Sequence, residues 1–418
     1  MRVRLRKAGA PLRVARFRTH FAARVVSWAG SAVSPLAMAF AVLRLPGGGP
    51  SALGWTLAAG MVPQIVLLLV GGVVADRVSR AVVMLWSNVV SACASALAAL
   101  LLWQGTAKVW HLVLVAAVTG GAAAFFGPAA GGVVKEVVPG ELRHQANALL
   151  RLAQNTVKVG GPAVAGVLVA AVGPASAMAW DAVAFVVAAV LCARLRLPPA
   201  PARVRTGFVA DLRAGWGDFV SRSWLWTMVA QGSVIVPAWL VGYQLLGPTY
   251  ADAHLGGAAA WGLVSAGFTA GLLLGSGVVL VWRPVRVAVW VCVGTGTLAG
   301  PLVGMAAGLP VWVLVLLTVV AGAGLATSAT SWATAVQARI PSDRLGRVTS
   351  YSTLGQTLPV PLGYLLAGPL AHFAGLRITL AGAAVLIVAA MLAPLCLAQV
   401  RAMTLEPVPG KVAEVAAR

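Results

Sequence analysis

The stretch Gly71-Gly-Val-Val-Ala-Asp76-Arg77-Val-Ser-Arg80 decides the fold, because it is a short charged turn between two apolar segments of bilayer length. The first segment covers 53–74 and the second covers 81–102. A turn this short requires the two helices to be antiparallel neighbours. A small residue, an acid and two bases at this spacing suit close helix approach and charge pairing at helix ends. An ordinary cytoplasmic loop with positive charges would show the same residue types.

The composition is that of a membrane protein. The chain has 418 residues, of which 60% are hydrophobic and 10% charged, and its mean hydropathy is +0.91. Soluble domains carry about 25% charged residues. The net charge of +21 lies in loops between apolar runs, without interleaved aromatic residues, so nucleic acid is not an expected partner. The four cysteines are far apart inside apolar runs, which predicts neither a disulfide framework nor a metal site.

Apolar runs of about 20 residues predict twelve membrane-spanning helices in two groups of six. The runs cover 25–43, 53–75, 81–103, 109–133, 146–171, 175–194, 224–246, 258–281, 285–306, 310–335, 348–370 and 376–398. The expected fold is an all-α polytopic membrane protein made of two six-helix halves. The predicted segments are a basic start at 1–24, halves at 25–194 and 224–398, a linker at 195–223 and a tail at 399–418.

The linker and the charged loops add two expectations. Within the linker, apolar residues recur at helical spacing over 208–220, which predicts an amphipathic helix at the membrane surface. Loops assigned to one side of the membrane hold most of the basic residues, and the other side holds Arg44, Lys108 and Arg377. The positive-inside rule then places both termini in the cytoplasm, with the chain in the plasma membrane.

Short motifs repeat between the two halves. Pro139-Gly-Glu141 and Pro341-Ser-Asp343 precede the fifth and eleventh predicted spans. Arg77-Val-Ser-Arg80 is matched by Arg283-Pro-Val-Arg286. Such an echo is typical of transporters built by internal duplication.

Several stretches together resemble one family of transporters. The opening turn is similar to the loop between helices 2 and 3 of the major facilitator superfamily. Further stretches resemble its transmembrane secretion effector branch, which includes macrolide and siderophore exporters: Phe17-Arg-Thr-His20, Phe125-Phe-Gly-Pro128, Glu141-Leu-Arg-His-Gln-Ala-Asn147, Gly161-Pro162-Ala-Val-Ala-Gly166 and Gly346-Arg347-Val348. The resemblance implies alternating access, with substrate held midway between the halves.

The resemblance also implies a cytoplasmic gate. Its residues would be Gly72, Asp76, Arg77, Arg80 and Arg151, the last placed where it can reach a loop acid or the membrane surface. Helix 5 would bend at Gly160, Gly161 and Pro162, and it would pack tightly through Gly161, Pro162 and Gly166.

Asp181 is the one acid that falls within a predicted span. A carboxylate at that depth is costly unless it is paired, hydrated or protonated, which makes it the candidate for proton coupling. The alternative is a packing role, in which the carboxylate is bonded to the backbone of a neighbouring helix.

A polar face on helix 5 suggests a substrate cavity. Gln154, Asn155 and Lys158 share that face with Arg151, and they cannot sensibly face lipid. Lys158 would either meet Asp181 or favour an anionic or electron-rich substrate. The remaining cavity candidates are Trp28, Gln64, Phe125, Trp239, Gln337, Tyr351 and Gln356.

The expected function is export of a small amphipathic molecule, such as a drug, a macrolide-like product or a siderophore, by proton antiport. No nucleotide-binding or hydrolase motif is present, so an enzyme is not expected. The expected partners are a small-molecule substrate and the lipid bilayer; the chain would act as a monomer without a cofactor. Import or facilitated movement of a lipid-like solute is an alternative. A transport-inactive scaffold or sensor is another, because Ser31 and Ala333 replace acids frequent in the family.

Overall fold

The computed structural model describes residues 10–195, 197, 220–282, 284–340 and 342–404. Over this part of the chain the secondary structure is helical, and the only β pairing is a single bridge between Arg286 and Thr404. The amphipathic helix predicted at 208–220 falls almost entirely outside the described residues. The contacts divide the chain into two compact units, one within Met1–Val204 together with Ala251–Leu263, the other within Arg205–Tyr250 and Val264–Arg418.

Six helices form most of the first unit. They are α1 (Ala15–Ser31), α2 (Ser34–Arg44), α3 (Pro50–Arg77), α4 (Arg80–Trp103), α5 (Val109–Val137) and α6 (Arg143–Ala193). Short 3-10 turns at Ala10–Arg13 and Gly140–Leu142 precede α1 and α6. The helix α3 packs on α5, and α6 packs on α1, α2 and α4.

The remaining helices begin after the linker. They are α7 (Ser223–Leu240), a π-helical segment (Val241–Leu246), α8 (Gly247–His254), α9 (Ala258–Val281), α10 (Val287–Gly296), α11 (Ala299–Ala306), α12 (Val311–Arg339), α13 (Ser342–Thr357), α14 (Val360–Phe373), α15 (Leu376–Leu392) and α16 (Ala398–Arg401), with a 3-10 turn at Ala393–Cys396. In the second unit α10 packs on α12, and α7 packs on α13 and α15.

Ten helical segments among the described residues are long and apolar enough to cross a membrane. The longest, Gly140–Ala193, has 54 residues and would be about 80 Å long if straight, far more than one bilayer needs. It turns at Gly173, whose φ of 80° and ψ of 168° are not helical, and so accommodates two of the predicted spans. The eleventh predicted span corresponds to the shorter pair α13 and α14. The architecture is consistent with twelve spans.

The first helix begins at Ala15, ten residues before the predicted span. Phe17, His20 and Ala23 are buried at helical spacing, and Phe17 and Ala23 pack into an apolar cluster with residues of α4 and α5. This burial makes the basic stretch after Ala15 part of the bundle rather than a surface segment. The span is also broken between Ser31 and Ser34, just before Pro35.

Glycines allow one pair of helices to cross closely in each unit. In the first unit, a Cβ added at Gly120 would overlap the backbone of Gly60 where α3 crosses α5. In the second unit, a Cβ added at Gly271 or Gly275 would overlap the backbone of α12 at Val319 or Ala323. Small residues four apart let helix backbones approach in this way in membrane proteins. The two crossings join the same members of each half, the second and fourth spans.

Candidate functional site

The charged turn within residues 71–80 joins α3 to α4 through two residues, Val78 and Ser79. The helices are therefore connected by a tight turn, as the sequence predicts. The gate residues Gly72, Asp76 and Arg77 belong to the last turns of α3, and their side chains lie outside the described part of the structure. Their role in a gate stays a prediction.

The second base of the turn has a clear partner. Arg80, the first residue of α4, pairs with Glu136 in the last turn of α5 at 2.7 Å, and both side chains are only about 20% exposed. The guanidinium lies over Gly132, where a Cβ would overlap it. Glu136 and Gly132 were not singled out from the sequence, although their spacing of four places them on one face of α5. The ion pair fastens α4 to α5.

A cavity of about 640 Å³ lies within the first unit. It is bounded by α1, the last turns of α5 and the first turns of α6. Its lining residues are Arg24, Trp28, Ala130, Gly131, Val134, His144, Asn147, Ala148, Leu150, Arg151 and Gln154. Of the predicted site residues, Trp28, Arg151 and Gln154 are brought together here. None of these described lining residues is acidic.

Arg24 projects from α1 into this cavity. Its guanidinium carbon is 4.4 Å from the centroid of the Trp28 ring and 5.3 Å from that of Phe126. Contacts of this kind are attractive because the face of an aromatic ring is electronegative. By its sequence position, Arg24 is the last residue of the basic segment 1–24, directly before the first predicted span.

Asn155 and Lys158 are exposed and do not line the cavity. The ion pairs found in the described residues join Arg44 to Asp252 and Arg80 to Glu136. The suggested pairing of Lys158 with Asp181 is therefore wrong. The reason is geometric: the carboxylate is enclosed inside the first unit, whereas the ammonium is on an exposed face of α6.

Asp181 is 1% exposed and is held among three helices of the first unit. Its Oδ2 accepts a hydrogen bond of 2.8 Å from the Ser95 hydroxyl on α4. Its Oδ1 faces Gly30 of α1, where an added Cβ would lie 3.0 Å away. Asp181 thus packs against neighbouring helices, although its partner is a side chain and not the backbone that the packing alternative names. A role in proton exchange stays a prediction.

Several predicted cavity residues occupy other places. Gln64 is exposed on α3, and Phe125 lines a separate apolar groove of about 330 Å³ beside Trp86. In the second unit, Trp239 is buried and its ring stacks on Tyr243 at 4.7 Å and lies 5.1 Å from Phe268.

The other candidates in the second unit differ in burial. Gln337 is exposed near the end of α12. Tyr351 is partly buried and packs against a cluster of apolar residues from α7 and α12. Gln356 fills the space left by Gly232 on α7. These three residues do not share a described cavity.

The predicted close packing of helix 5 is present in the first part of α6. A Cβ added at Gly161 would overlap the side chain of Ala32, and one added at Gly166 would lie 2.6 Å from the Cα of Gly262. The backbone stays helical through Pro162 and departs from helical angles only at Gly173. The close contacts of Gly161 and Gly166 are made by residues with helical backbone angles. A bend at Pro162 stays a prediction, because a proline can tilt a helix whose residues keep helical angles.

Comparisons with known proteins agree with this architecture. The transmembrane secretion effector family matches residues 7–410. The multidrug efflux pump Tap of Mycobacterium bovis is 29% identical over 408 residues, which cover 92% of this chain and 94% of that protein. A POT family transporter superposes with a TM-score of 0.73 at 10% identity, covering 93% of this chain and 96% of its own.

A second solved structure, a bacterial homologue of the iron transporter ferroportin, superposes with a TM-score of 0.68 at 18% identity. The superposition covers 91% of this chain and 98% of that chain. At this level of identity the solved structures show the fold alone. The relatives are transporters rather than enzymes, in agreement with the sequence motifs. Because the family match spans nearly the whole chain, this protein belongs to the transmembrane secretion effector family of major facilitator transporters.

Proposed function

We propose that this chain exports small amphipathic organic molecules, drugs among them, by alternating access. Similarity to Tap, which is named a multidrug efflux pump, supports the proposal. The observation that carries it is the cavity of the first unit, which combines the apolar surfaces of Trp28 and Leu150 with the polar groups of Arg24 and Arg151. Its volume of about 640 Å³ suits a drug-sized ligand.

The cavity favours neutral or anionic substrates. A lipophilic cation would need a carboxylate close to its charge, and the described lining residues supply none. Two arginines instead repel a cation and attract an acid or an electron-rich oxygen. Macrolide-like products and siderophores are therefore better substrates than lipophilic cations in this account.

Proton antiport is the proposed energy source. Asp181 supports this, because it is a buried acid within a span and its carboxylate is held by a hydroxyl rather than by a cation. Protonation and release at this position would change the contacts among α1, α4 and α6, which pack together.

We further propose that the protein works in the plasma membrane as a monomer, without a bound cofactor and with both termini in the cytoplasm. The charge asymmetry of the loops supports this orientation. Cysteines introduced at Gln104 and Ala307, which are exposed in turns assigned to the outer face, should react with an impermeant thiol reagent in intact cells. Protection of both until the cells are opened would reverse the orientation.

Everted membrane vesicles test the export proposal. Vesicles that contain the protein should take up a neutral macrolide or an anionic siderophore when respiration makes their interior acidic, and a protonophore should abolish the uptake. Vesicles from the same host without the protein are the control. Equal uptake by the two preparations would remove export of these compounds from the account.

Asp76 tests the gate. Replacing Asp76 by Asn should slow transport strongly while insertion into the membrane is unchanged, because a latch at the end of α3 would lose its acid. Transport rate and the amount of protein in the membrane are measured together. An unchanged rate would remove the gate role of Asp76.

A further inference from the structure

The cavity of the first unit is strongly basic. Arg24 enters it from α1, and α6 contributes His144, Asn147, Arg151 and Gln154. The positions 144, 147, 151 and 154 are three or four residues apart, so these side chains form one stripe along a helix face. Two guanidinium groups and two amides thus line the same space, and the described lining residues include no acid.

Arg24 has no counter-ion among the described residues. The ion pairs of that part of the chain are made by Arg44 and Arg80. The Nε of Arg24 is buried and has no hydrogen-bond partner, while its guanidinium carbon lies over the rings of Trp28 and Phe126. A cation in such a place is costly unless an anion or another acceptor approaches it. Two aromatic rings therefore contact the guanidinium of Arg24, and its Nε–H group has no acceptor.

The apolar surroundings point to an amphipathic ligand. Trp28, Val134 and Leu150 line the same cavity as the two arginines. A carboxylate or phosphate is the group that guanidinium donors bind best, often through two parallel hydrogen bonds. A ligand with an acidic head and an apolar body would therefore satisfy both parts of the lining.

We propose that this cavity binds the anionic headgroup of an amphipathic organic acid, with Arg24 and Arg151 as its cationic ligands and Trp28 against its body. The inference rests on the proposed function at one point, because the acid is taken to be a solute that the protein transports. The headgroup of an anionic lipid has the same chemistry and is the other source of such a ligand.

Two dyes with the same ring skeleton and opposite charge make a direct test. Fluorescein is an anion and rhodamine 123 a cation, and binding of each to the purified full-length protein in phosphatidylcholine nanodiscs is followed by fluorescence anisotropy. Wild type should bind fluorescein about tenfold or more tightly than rhodamine 123, as expected when charge-assisted hydrogen bonds are made to only one dye. Equal affinities for the two dyes would overturn the proposal.

The variants identify the site. The double variant Arg24→Gln with Arg151→Gln should lose about tenfold or more in fluorescein affinity, whereas Arg24→Lys should retain part of it. Arg44→Gln, which removes an exposed arginine outside the cavity, is the matched control and should bind fluorescein like wild type. Unchanged fluorescein affinity in a double variant that elutes as wild type on gel filtration would contradict the assignment.

The lipid composition of the nanodiscs distinguishes a lipid headgroup from a soluble acid as the ligand of the site. If phosphatidylglycerol added to the nanodiscs weakens fluorescein binding in wild type but not in the double variant, the site is an anion site that lipid shares. If it has no effect, the site selects soluble acids. Binding is measured without transport, so a protein that binds fluorescein but fails in vesicles would overturn the export proposal and leave the anion site in place.

Discussion

Asp181 is an acid within a span that is enclosed by its neighbours. Ser95 donates to one oxygen, and Gly30 leaves just enough room for the other. The two roles foreseen for this residue differ in what its removal would do. A packing acid can be replaced by its amide with little loss, whereas a proton carrier cannot.

We expect Asp181→Asn to abolish transport driven by a proton gradient while exchange of substrate without a gradient continues. The amide keeps the shape and can still accept from Ser95, but it cannot carry a proton. Reconstituted vesicles with an imposed gradient measure both activities. Ser95→Ala, which changes the same contact without removing the acid, should keep its response to the gradient. Gradient-driven transport by Asp181→Asn would leave Asp181 with a packing role alone.

The pair Arg80–Glu136 is expected to stabilise the first unit. Glu136→Gln should cost about 1–3 kcal/mol, because it leaves a largely buried guanidinium with a weaker acceptor. Thermal unfolding in detergent measures the loss. Exchanging the two residues, with Glu at 80 and Arg at 136, should recover part of it. Equal unfolding temperatures for wild type and Glu136→Gln would show that the pair contributes nothing.

The sequence predicted some site residues and not their neighbours, for a physical reason. Arg151 and Gln154 stand out because polar groups on one helix face cannot face lipid. Arg24 does not stand out, because an arginine near the start of a span normally reaches the membrane surface. Only the packing of α1 against α6 shows that Arg24 and Arg151 share a cavity.

At the scale of elements, α6 depends on one glycine to turn between two spans. Gly173 has a φ of 80°, a conformation that side chains with a Cβ rarely adopt. Gly173→Ala should destabilise the protein by about 1–3 kcal/mol. Gly160→Ala on the same helix should be neutral or stabilise it by roughly 0.5–1 kcal/mol, because an added Cβ meets nothing there. Thermal unfolding of the two variants compares them, and equal unfolding temperatures would contradict this account of the turn.

The all-helical membrane architecture was predictable from apolar run length, and helix interruptions were not. Apolar segments of membrane length continue across the breaks after Ser31 and after Gly296, so a run-length criterion passes through both breaks. The start of α1 at Ala15 was missed for the opposite reason. Its basic residues lower the hydropathy, although Phe17 and His20 are fully buried.

At the scale of the whole molecule, the two halves share a helix-packing contact as well as short sequence motifs. The second and fourth spans cross through glycines in each unit, at Gly60 and Gly120 in the first and at Gly271 in the second. The chemistry is not repeated in the same way. The described basic cavity belongs to the first unit, whereas the second unit has a buried aromatic group around Trp239.

The scaffold alternative predicts a molecule that does not alternate. Single cysteines placed along α6, for example at Asn155, would then react with thiol reagents equally with and without substrate. Export requires instead that substrate change the reactivity of at least some positions. The rate of labelling in membranes separates the two functions.

Accumulation of a panel of compounds in a pump-deficient host tests the central claim most directly. The panel holds a neutral macrolide, a lipophilic cation and an anionic siderophore, each measured with and without a protonophore. Export driven by protons predicts lower accumulation of the macrolide or the siderophore, with the difference lost when the protonophore is added and with little effect on the cation. Accumulation that is the same with and without the protein for every compound would contradict the account.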